Sequence, residues 1–136
     1  MTASESPALP VSRLPDACAE VLAYALALRS AADPGSADVV RRTANQLLEQ
    51  CAERARSAGI DSKHVDRARY ALCALLDEIV LSSKWDWRAA WFDQPLQMQH
   101  FQDFTAGEQF YRHLDELRAA RTPQEVDLLE VYTQCL

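Results

Sequence analysis

Glycine is scarce in this sequence, with only three among 136 residues. Turn-rich β-sandwiches and barrels depend on glycine for tight turns, so this scarcity argues against such folds. No alternating apolar stretch bounded by turn dipeptides occurs, and no segment repeats at a fixed period. A chain of this length has room for one domain. The sequence therefore predicts a single all-α domain.

Positive charge is also in short supply. The 14 basic residues are outnumbered by 20 acidic ones, which gives a formal net charge of −6. Binding to a phosphate backbone requires clustered Lys and Arg. The basic residues that gather locally are interleaved with acids, as on a solvated helix face. We therefore expect no nucleic acid partner.

Long apolar runs and paired cysteines are absent as well. The longest unbroken apolar run, residues 21–28, is far shorter than the roughly 20 residues of a membrane span. The four cysteines, Cys18, Cys51, Cys73 and Cys135, form no Cys-x-x-Cys motif. Each lies in an apolar helical pattern, which predicts small buried side chains in a reducing compartment.

Signatures of catalysis and of metal binding are missing. The sequence contains no glycine-rich phosphate loop, nucleophile elbow or Cys/His nucleophile pattern. Three histidines occur, and the patterns Asp61-x-x-His64 and His113-x-x-Glu116 lack the matching second site of a di-metal bundle. We therefore predict no catalytic residue, no cofactor and no metal ligand, and we do not expect an enzyme.

Apolar periodicity and capping residues predict the helices. Residues 1–11 have no periodicity and are expected to be a disordered lead-in, with one helical domain at 12–136. The predicted helices are 12–32, 36–59, 64–82, a short helix with Trp87 and Trp91, a second short helix from Pro95 to Phe101, a helix after a capping box at 105–108, and 125–136. The helix at 64–82 is apolar on every side in its second half, which predicts a central, buried helix.

Capping residues indicate where these helices begin. Ser36, and then Asp61 or Ser62, are suitable N-caps for the second and third helices. Ser83 and Asp86 are expected to cap the short fourth helix. The strongest start signal is the second capping box, Thr122-Pro-Gln-Glu125, with proline at the first helical position.

Two adjacent carboxylates, Asp77 and Glu78, lie in the apolar part of the central helix. Successive helical residues point about 100° apart, so the two cannot face one substrate together. No basic residue lies three or four positions away to neutralise either one. They must reach solvent at a groove, hold the N-terminus of a neighbouring helix, or meet an arginine, for which Arg88 and Arg112 are candidates.

All three tryptophans, Trp85, Trp87 and Trp91, follow within a few residues. Without a basic face, a stacking platform for bases lacks its electrostatic part. We expect these side chains to clamp the short fourth helix onto the central one, with at least one at the edge of a partner groove.

The second half of the chain resembles the TssL/DotU family, the inner-membrane component of type VI secretion systems that is related to the DotU proteins of type IVb systems. The motifs occur in the family's order and at similar spacings. They are LLDE at 75–78, Trp85, Trp91, Pro95-Leu96, Phe101 and Phe104, AGEQFY at 106–111, DLLEVY at 127–132, and Cys135-Leu136.

The resemblance implies a hook-like arrangement of two small helical bundles, with about six to eight helices, at the cytoplasmic face of the bacterial inner membrane. In the family one transmembrane helix follows this domain, and the uncapped apolar end at Leu136 fits such a continuation. The implied partners are TssM and TssJ in the membrane complex and TssK and TssE in the baseplate. As an isolated domain, we expect a monomer or a weak homodimer.

The family's acidic pair lies near a cleft between its bundles, and by position this role carries over to Asp77 and Glu78. With Trp85 and Trp91 at the same cleft, the resemblance predicts a partner-binding site of four residues. The function implied is docking of the baseplate and tail to the membrane complex. The alternative is a stand-alone helical bundle that binds a small ligand or a metal.

Overall fold

The computed structural model describes residues 13–102 and 108–136, and this part of the chain is helical, without strands. The helices are α1 (Leu14–Ser30), α2 (Ala37–Ser57), α3 (Ser62–Leu81), α4 (Arg88–Asp93), α5 (Leu96–Phe101), α6 (Glu108–Leu117) and α7 (Pro123–Gln134). The predicted all-α fold is confirmed. The predicted lead-in at 1–11 and the start of the capping box at Thr105 lie outside the described residues.

The second and third helices begin and end where their capping residues indicate. The Ser36 hydroxyl accepts a hydrogen bond from the backbone N–H of Val39 at 3.2 Å. The Asp61 carboxylate accepts one from the N–H of Lys63 at 2.9 Å. Just after α2, Gly59 adopts a φ of 83°, a left-handed conformation that glycine takes without steric cost.

The capping box at the start of α7 is formed as predicted. The Thr122 hydroxyl accepts from the N–H of Glu125 at 3.1 Å. In return the Glu125 carboxylate accepts from the N–H groups of Thr122 and Arg121, each at 3.0 Å. These bonds satisfy donors that the first turn of a helix cannot pair internally.

Helix α3 is the centre of the fold. Eleven of its 20 residues are buried, which confirms the prediction of a central helix. It packs with α1, α2 and α7 as one group of helices, and α4, α5 and α6 each pack against it as well. Helix α6 also packs against α7, whereas α4 and α5 pack mainly against α3, so the side chains near the C-terminal end of α3 matter most for these two short helices.

The start of α4 differs from the prediction. Its N-cap is Trp87, which makes no side-chain capping bond, so the expected caps Ser83 and Asp86 are wrong. The Ser83 hydroxyl instead donates to the carbonyl of Val80 at 2.6 Å and accepts from the N–H of Trp85 at 3.2 Å. Ser83 therefore closes the end of α3, and α4 begins one turn later.

Replacing Thr122 with alanine removes the acceptor for the Glu125 N–H. We expect the free energy of unfolding to fall by about 1 kcal/mol, the usual cost of losing such a cap. The control is Thr133→Ala, since this exposed threonine bonds a carbonyl within its own helix. Urea denaturation of both variants measures the difference, and equal stabilities would contradict a capping role for Thr122.

The capping box also predicts an acid dependence of stability. Backbone N–H groups of Arg121 and Thr122 lower the pKa of Glu125 below its ordinary value of 4.5. Its contribution is therefore fully present above that ordinary value and is lost as the pH falls through the lowered pKa. Urea denaturation across this range should show a smaller acid loss for Glu125→Gln than for wild type, while the exposed Glu53→Gln on α2 should follow the wild type.

Candidate partner-binding site at the end of α3

The two adjacent acids have different environments. Asp77 is 3% exposed, whereas Glu78 lies on the surface. One oxygen of Asp77 accepts from the indole N–H of Trp91 at 2.8 Å and from the backbone N–H of Leu96 at 2.7 Å. The other oxygen accepts from the backbone N–H of Gln97 at 2.9 Å. Asp77 is thus bonded entirely by groups of this chain.

These bonds attach two short helices to α3. Leu96 and Gln97 are the first residues of α5, and N–H groups at that position have no acceptor within their own helix. The Asp77 carboxylate supplies the acceptor from another helix and favours the positive end of the α5 dipole. The indole bond attaches α4 in the same way. Of the roles considered for the acids, holding a neighbouring helix N-terminus is the one that Asp77 performs.

The cation near this cluster is Arg41 of α2. Its guanidinium carbon lies 4.3 Å from the centre of the Trp91 ring. It donates to the carbonyl of Gln94 at 2.6 Å and to the side-chain oxygen of Gln99 at 2.9 Å. Arg41 therefore covers the junction between α4 and α5.

The arginines predicted to neutralise the acids are not those that do so. Arg88 donates to the backbone carbonyl of Ser83, and Arg112 is exposed on α6. Proximity along the chain suggested Arg88, but the charge that acts on Asp77 comes from Arg41. Arg41 lies on α2, 36 positions before Asp77 in the chain, and no sequence pattern connects the two residues.

Burial and bonding have opposite effects on the titration of Asp77. Burial raises its pKa above the ordinary value, because a charged carboxylate loses its hydration. The donors from Gln97, Trp91 and Leu96, together with the Arg41 charge, oppose that rise. Burial also lowers the pKa of Arg41, an effect that Asp77 counteracts. The cluster is an internal charged network with its hydrogen bonds formed.

Glu78 borders two surface grooves. Its carboxylate accepts from the hydroxyl of Ser82 at 2.8 Å. A groove of about 580 Å³ lies between the ends of α1 and α3, and its lining includes Arg29, Glu78, Lys84 and Trp85. This groove combines one negative charge, two positive charges and an aromatic ring.

The second groove, of about 340 Å³, lies on the other side of Glu78. Arg29 and Glu78 border this groove too, and Tyr111 and Leu136, 62% and 64% exposed, also line it. Gln97 lines it with a buried side chain whose amide nitrogen has no hydrogen-bond partner among the described residues. Sequence reasoning missed Arg29 and Tyr111, although Arg29 in the last turn of α1 is a typical exposed position.

The tryptophans form a stack that runs inward. The rings of Trp85 and Trp87 are stacked at 5.3 Å between centres, and Trp87 and Trp91 lie 5.8 Å apart. Trp91 is 1% exposed, whereas Trp85 is half-buried and lines the larger groove. The prediction that these residues clamp α4 onto α3 agrees with this packing.

The four predicted partner-binding residues therefore separate into two pairs. Asp77 lines the smaller groove, but its oxygens are already bonded, and Trp91 is enclosed by the core. Both side chains are buried in the isolated domain, so partner binding by Asp77 and Trp91 stays an untested prediction. Glu78 and Trp85 are accessible, and partner binding by these two stays a prediction.

Two further features concern metals and membranes. Across residues 13–102 and 108–136, no group of three His, Cys, Asp or Glu side chains is placed to hold a metal ion. In the same ranges, no helix has the length and apolarity that crossing a bilayer requires.

The family model for the type VI secretion system protein DotU matches residues 13–136. The chain belongs to this family. The match covers the N-terminal helices as well as the second half in which the motifs were recognised. A search of curated proteins found no significant match.

Two solved structures share the fold. One is the cytoplasmic domain of TssL from Acinetobacter baumannii, 26% identical, with a TM-score of 0.82 over 92% of this chain and 80% of that chain. The other is SciP/TssL of the type VI secretion system from Escherichia coli Enteroaggregative 042, 29% identical, with a TM-score of 0.76 over 92% of this chain and 74% of that chain. The predicted family and fold class are thereby confirmed.

Asp77→Asn tests the internal role of this carboxylate. An amide keeps the size but replaces one acceptor oxygen with a donor, which leaves at least one buried N–H without a partner. We expect a loss of roughly 1–3 kcal/mol in the free energy of unfolding, with altered tryptophan fluorescence because Trp91 is affected. The adjacent Glu78→Gln is the matched control. Equal stability of the two variants would show that the Asp77 bonds contribute nothing.

Proposed function

We propose that this chain is the cytoplasmic domain of a type VI secretion membrane-complex subunit, which docks the baseplate and tail to the inner-membrane complex through protein–protein contacts. The DotU family match over residues 13–136 carries this proposal. The similarity to a domain described as the cytoplasmic domain of TssL supports a position at the cytoplasmic face of the inner membrane. The expected partners are TssM and TssJ in the membrane complex and TssK and TssE in the baseplate.

The surface around Glu78 is the proposed contact site. Glu78 is exposed where two grooves meet, and its carboxylate has a hydroxyl rather than a cation as its bonded neighbour. A basic side chain of the partner can therefore pair with it. Trp85 in the larger groove supplies an aromatic surface of the kind enriched at interfaces.

The mixed charges of the grooves would orient the partner. Arg29 and Lys84 line the larger groove together with Glu78, so a partner must direct basic groups to Glu78 and acidic groups to the other two. Such complementarity selects a partner and its orientation more than it adds affinity. In the smaller groove, the exposed side chain of Tyr111 offers a second aromatic surface to a partner.

Reversal of the Glu78 charge tests this site. Glu78→Lys places a positive charge opposite the basic side chain that the partner directs to this position, and like charges facing each other across an interface cost several kcal/mol. We expect capture of TssK or TssE by the purified domain to weaken by about tenfold or more. The fold should be retained, because Glu78 is exposed and makes no contact with the core network.

The matched control is Glu53→Lys, the same charge reversal at an exposed position of α2. It should bind as the wild type does, and circular dichroism should show equal helix content in all three proteins. Undiminished capture by Glu78→Lys would remove Glu78 from the contact surface. Absence of capture by the wild-type domain itself would contradict the docking function.

A further inference from the structure

Two cysteines from neighbouring helices face each other inside the domain. Cys18 lies in α1 and Cys51 in α2, and their sulfur atoms are 3.5 Å apart. Both are free thiols, 0% and 4% exposed. The thiols are hydrogen-bonded to each other, so neither is directed to a different part of the core.

Helices α1 and α2 pack against each other, and both contribute small buried side chains to the core. Five alanines of α1 and α2 are at most 2% exposed: Ala17, Ala25, Ala44, Ala52 and Ala55. Alanine side chains leave room for neighbouring helices to shift slightly toward each other, which closing a disulfide would require. The two sulfurs would need to approach by only about 1.5 Å to reach the bonding distance of about 2.0 Å.

We propose that Cys18 and Cys51 are a peroxide-sensitive dithiol that closes to an intramolecular disulfide and joins α1 covalently to α2. In the first step, the Cys51 thiolate attacks one oxygen of hydrogen peroxide, forming a sulfenic acid and releasing hydroxide, which takes up a proton to become water. The Cys18 sulfur then attacks the Cys51 sulfur, the S–O bond breaks, and a second water leaves. Two thiols are oxidised and one peroxide is reduced.

The surroundings favour Cys51 as the attacking residue. The hydrogen bond shared with Cys18 and the charges of Arg54 and Arg69 lower the pKa of Cys51, although burial opposes this shift. The same hydrogen bond, together with burial, raises the pKa of Cys18. Cys51 is also the slightly more exposed of the two.

The other two cysteines provide internal controls. Burial raises the pKa of Cys73, and it raises the pKa of Cys135 to about 12. Thiols whose pKa is raised in this way form little of the thiolate that reacts with peroxide. We therefore expect oxidation to be selective for the pair in α1 and α2.

The disulfide would change the stability of the domain. The two cysteines are 33 positions apart in the chain, so a bond between them restricts the unfolded state. The oxidised domain should melt at a higher temperature than the reduced one. The cross-link would form whether or not the domain docks a baseplate, and the Glu78 experiment tests that function separately.

The test treats the folded wild-type domain with hydrogen peroxide, blocks remaining thiols after denaturation, and maps tryptic peptides by mass spectrometry. The expected product joins the peptide of residues 14–29 to that of residues 43–54, with the mass of two hydrogen atoms lost. The melting temperature should rise on oxidation and return with a reductant. Cys51→Ala should abolish both effects, whereas Cys73→Ala, another buried cysteine variant, should retain them.

Two results would overturn the proposal. One is that Cys18 and Cys51 both remain free thiols after treatment that oxidises an exposed model thiol. The other is a cross-link of either residue to Cys73 or Cys135 in place of the expected pair. If Cys51→Ala does not fold, the wild-type peptide map alone decides between these outcomes.

Discussion

The arrangement of the two short helices α4 and α5 depends on the hydrogen bonds of one carboxylate. Asp77 on α3 accepts N–H groups from the start of α5 and from the indole of Trp91 in α4. Each of these helices has only six residues, too few to be stable alone in water. Attachment to α3 and burial of Trp91 and Leu96 supply the stability that such short helices do not have on their own. Arg41 from α2 completes the attachment by covering Trp91.

Neighbouring acids in this chain divide structural and surface roles between them. Because successive helical residues point about 100° apart, the Asp77 carboxylate lies in the core, whereas the Glu78 carboxylate lies in solvent where two grooves meet. Trp85 in turn stacks on Trp87, which contacts Trp91 of the core network. In the proposed docking function, side chains supported by such packing are useful because a preorganised surface loses less conformational freedom on binding.

Local signals in the sequence predicted the helices well where capping residues mark them. Ser36, Asp61 and the Thr122–Glu125 box each make the capping bonds typical of their residue types. The segment 70–76 is apolar on every side of the helix, and this pattern predicted that the helix is central and buried. Ser83 was misleading as a cap, because a serine between two helices can close the first as readily as it can begin the second. The different directions of Asp77 and Glu78 were also predictable from helix geometry.

The partners of Asp77 were harder to predict. The possibility of holding a helix N-terminus was recognised, and Pro95 marks the start of α5, but nothing in the sequence indicates that the first N–H groups of this helix bond to Asp77. The Trp91 indole and the nearby Arg41 are brought close only by the packing of α2, α3 and α4. Candidate arginines chosen by residue type were therefore wrong. Which of the predicted site residues are accessible to a partner could be learned only from their burial in the fold.

Hydrogen exchange at the start of α5 tests the central role of Asp77 most directly. In an isolated short helix the amides of Leu96 and Gln97 would have no acceptor and would exchange with solvent rapidly. If the Asp77 carboxylate holds them, NMR of the wild-type domain should show both amides and the Trp91 indole N–H exchanging as slowly as the core amides of α3. Rapid exchange at these positions, with α3 still protected, would contradict the account.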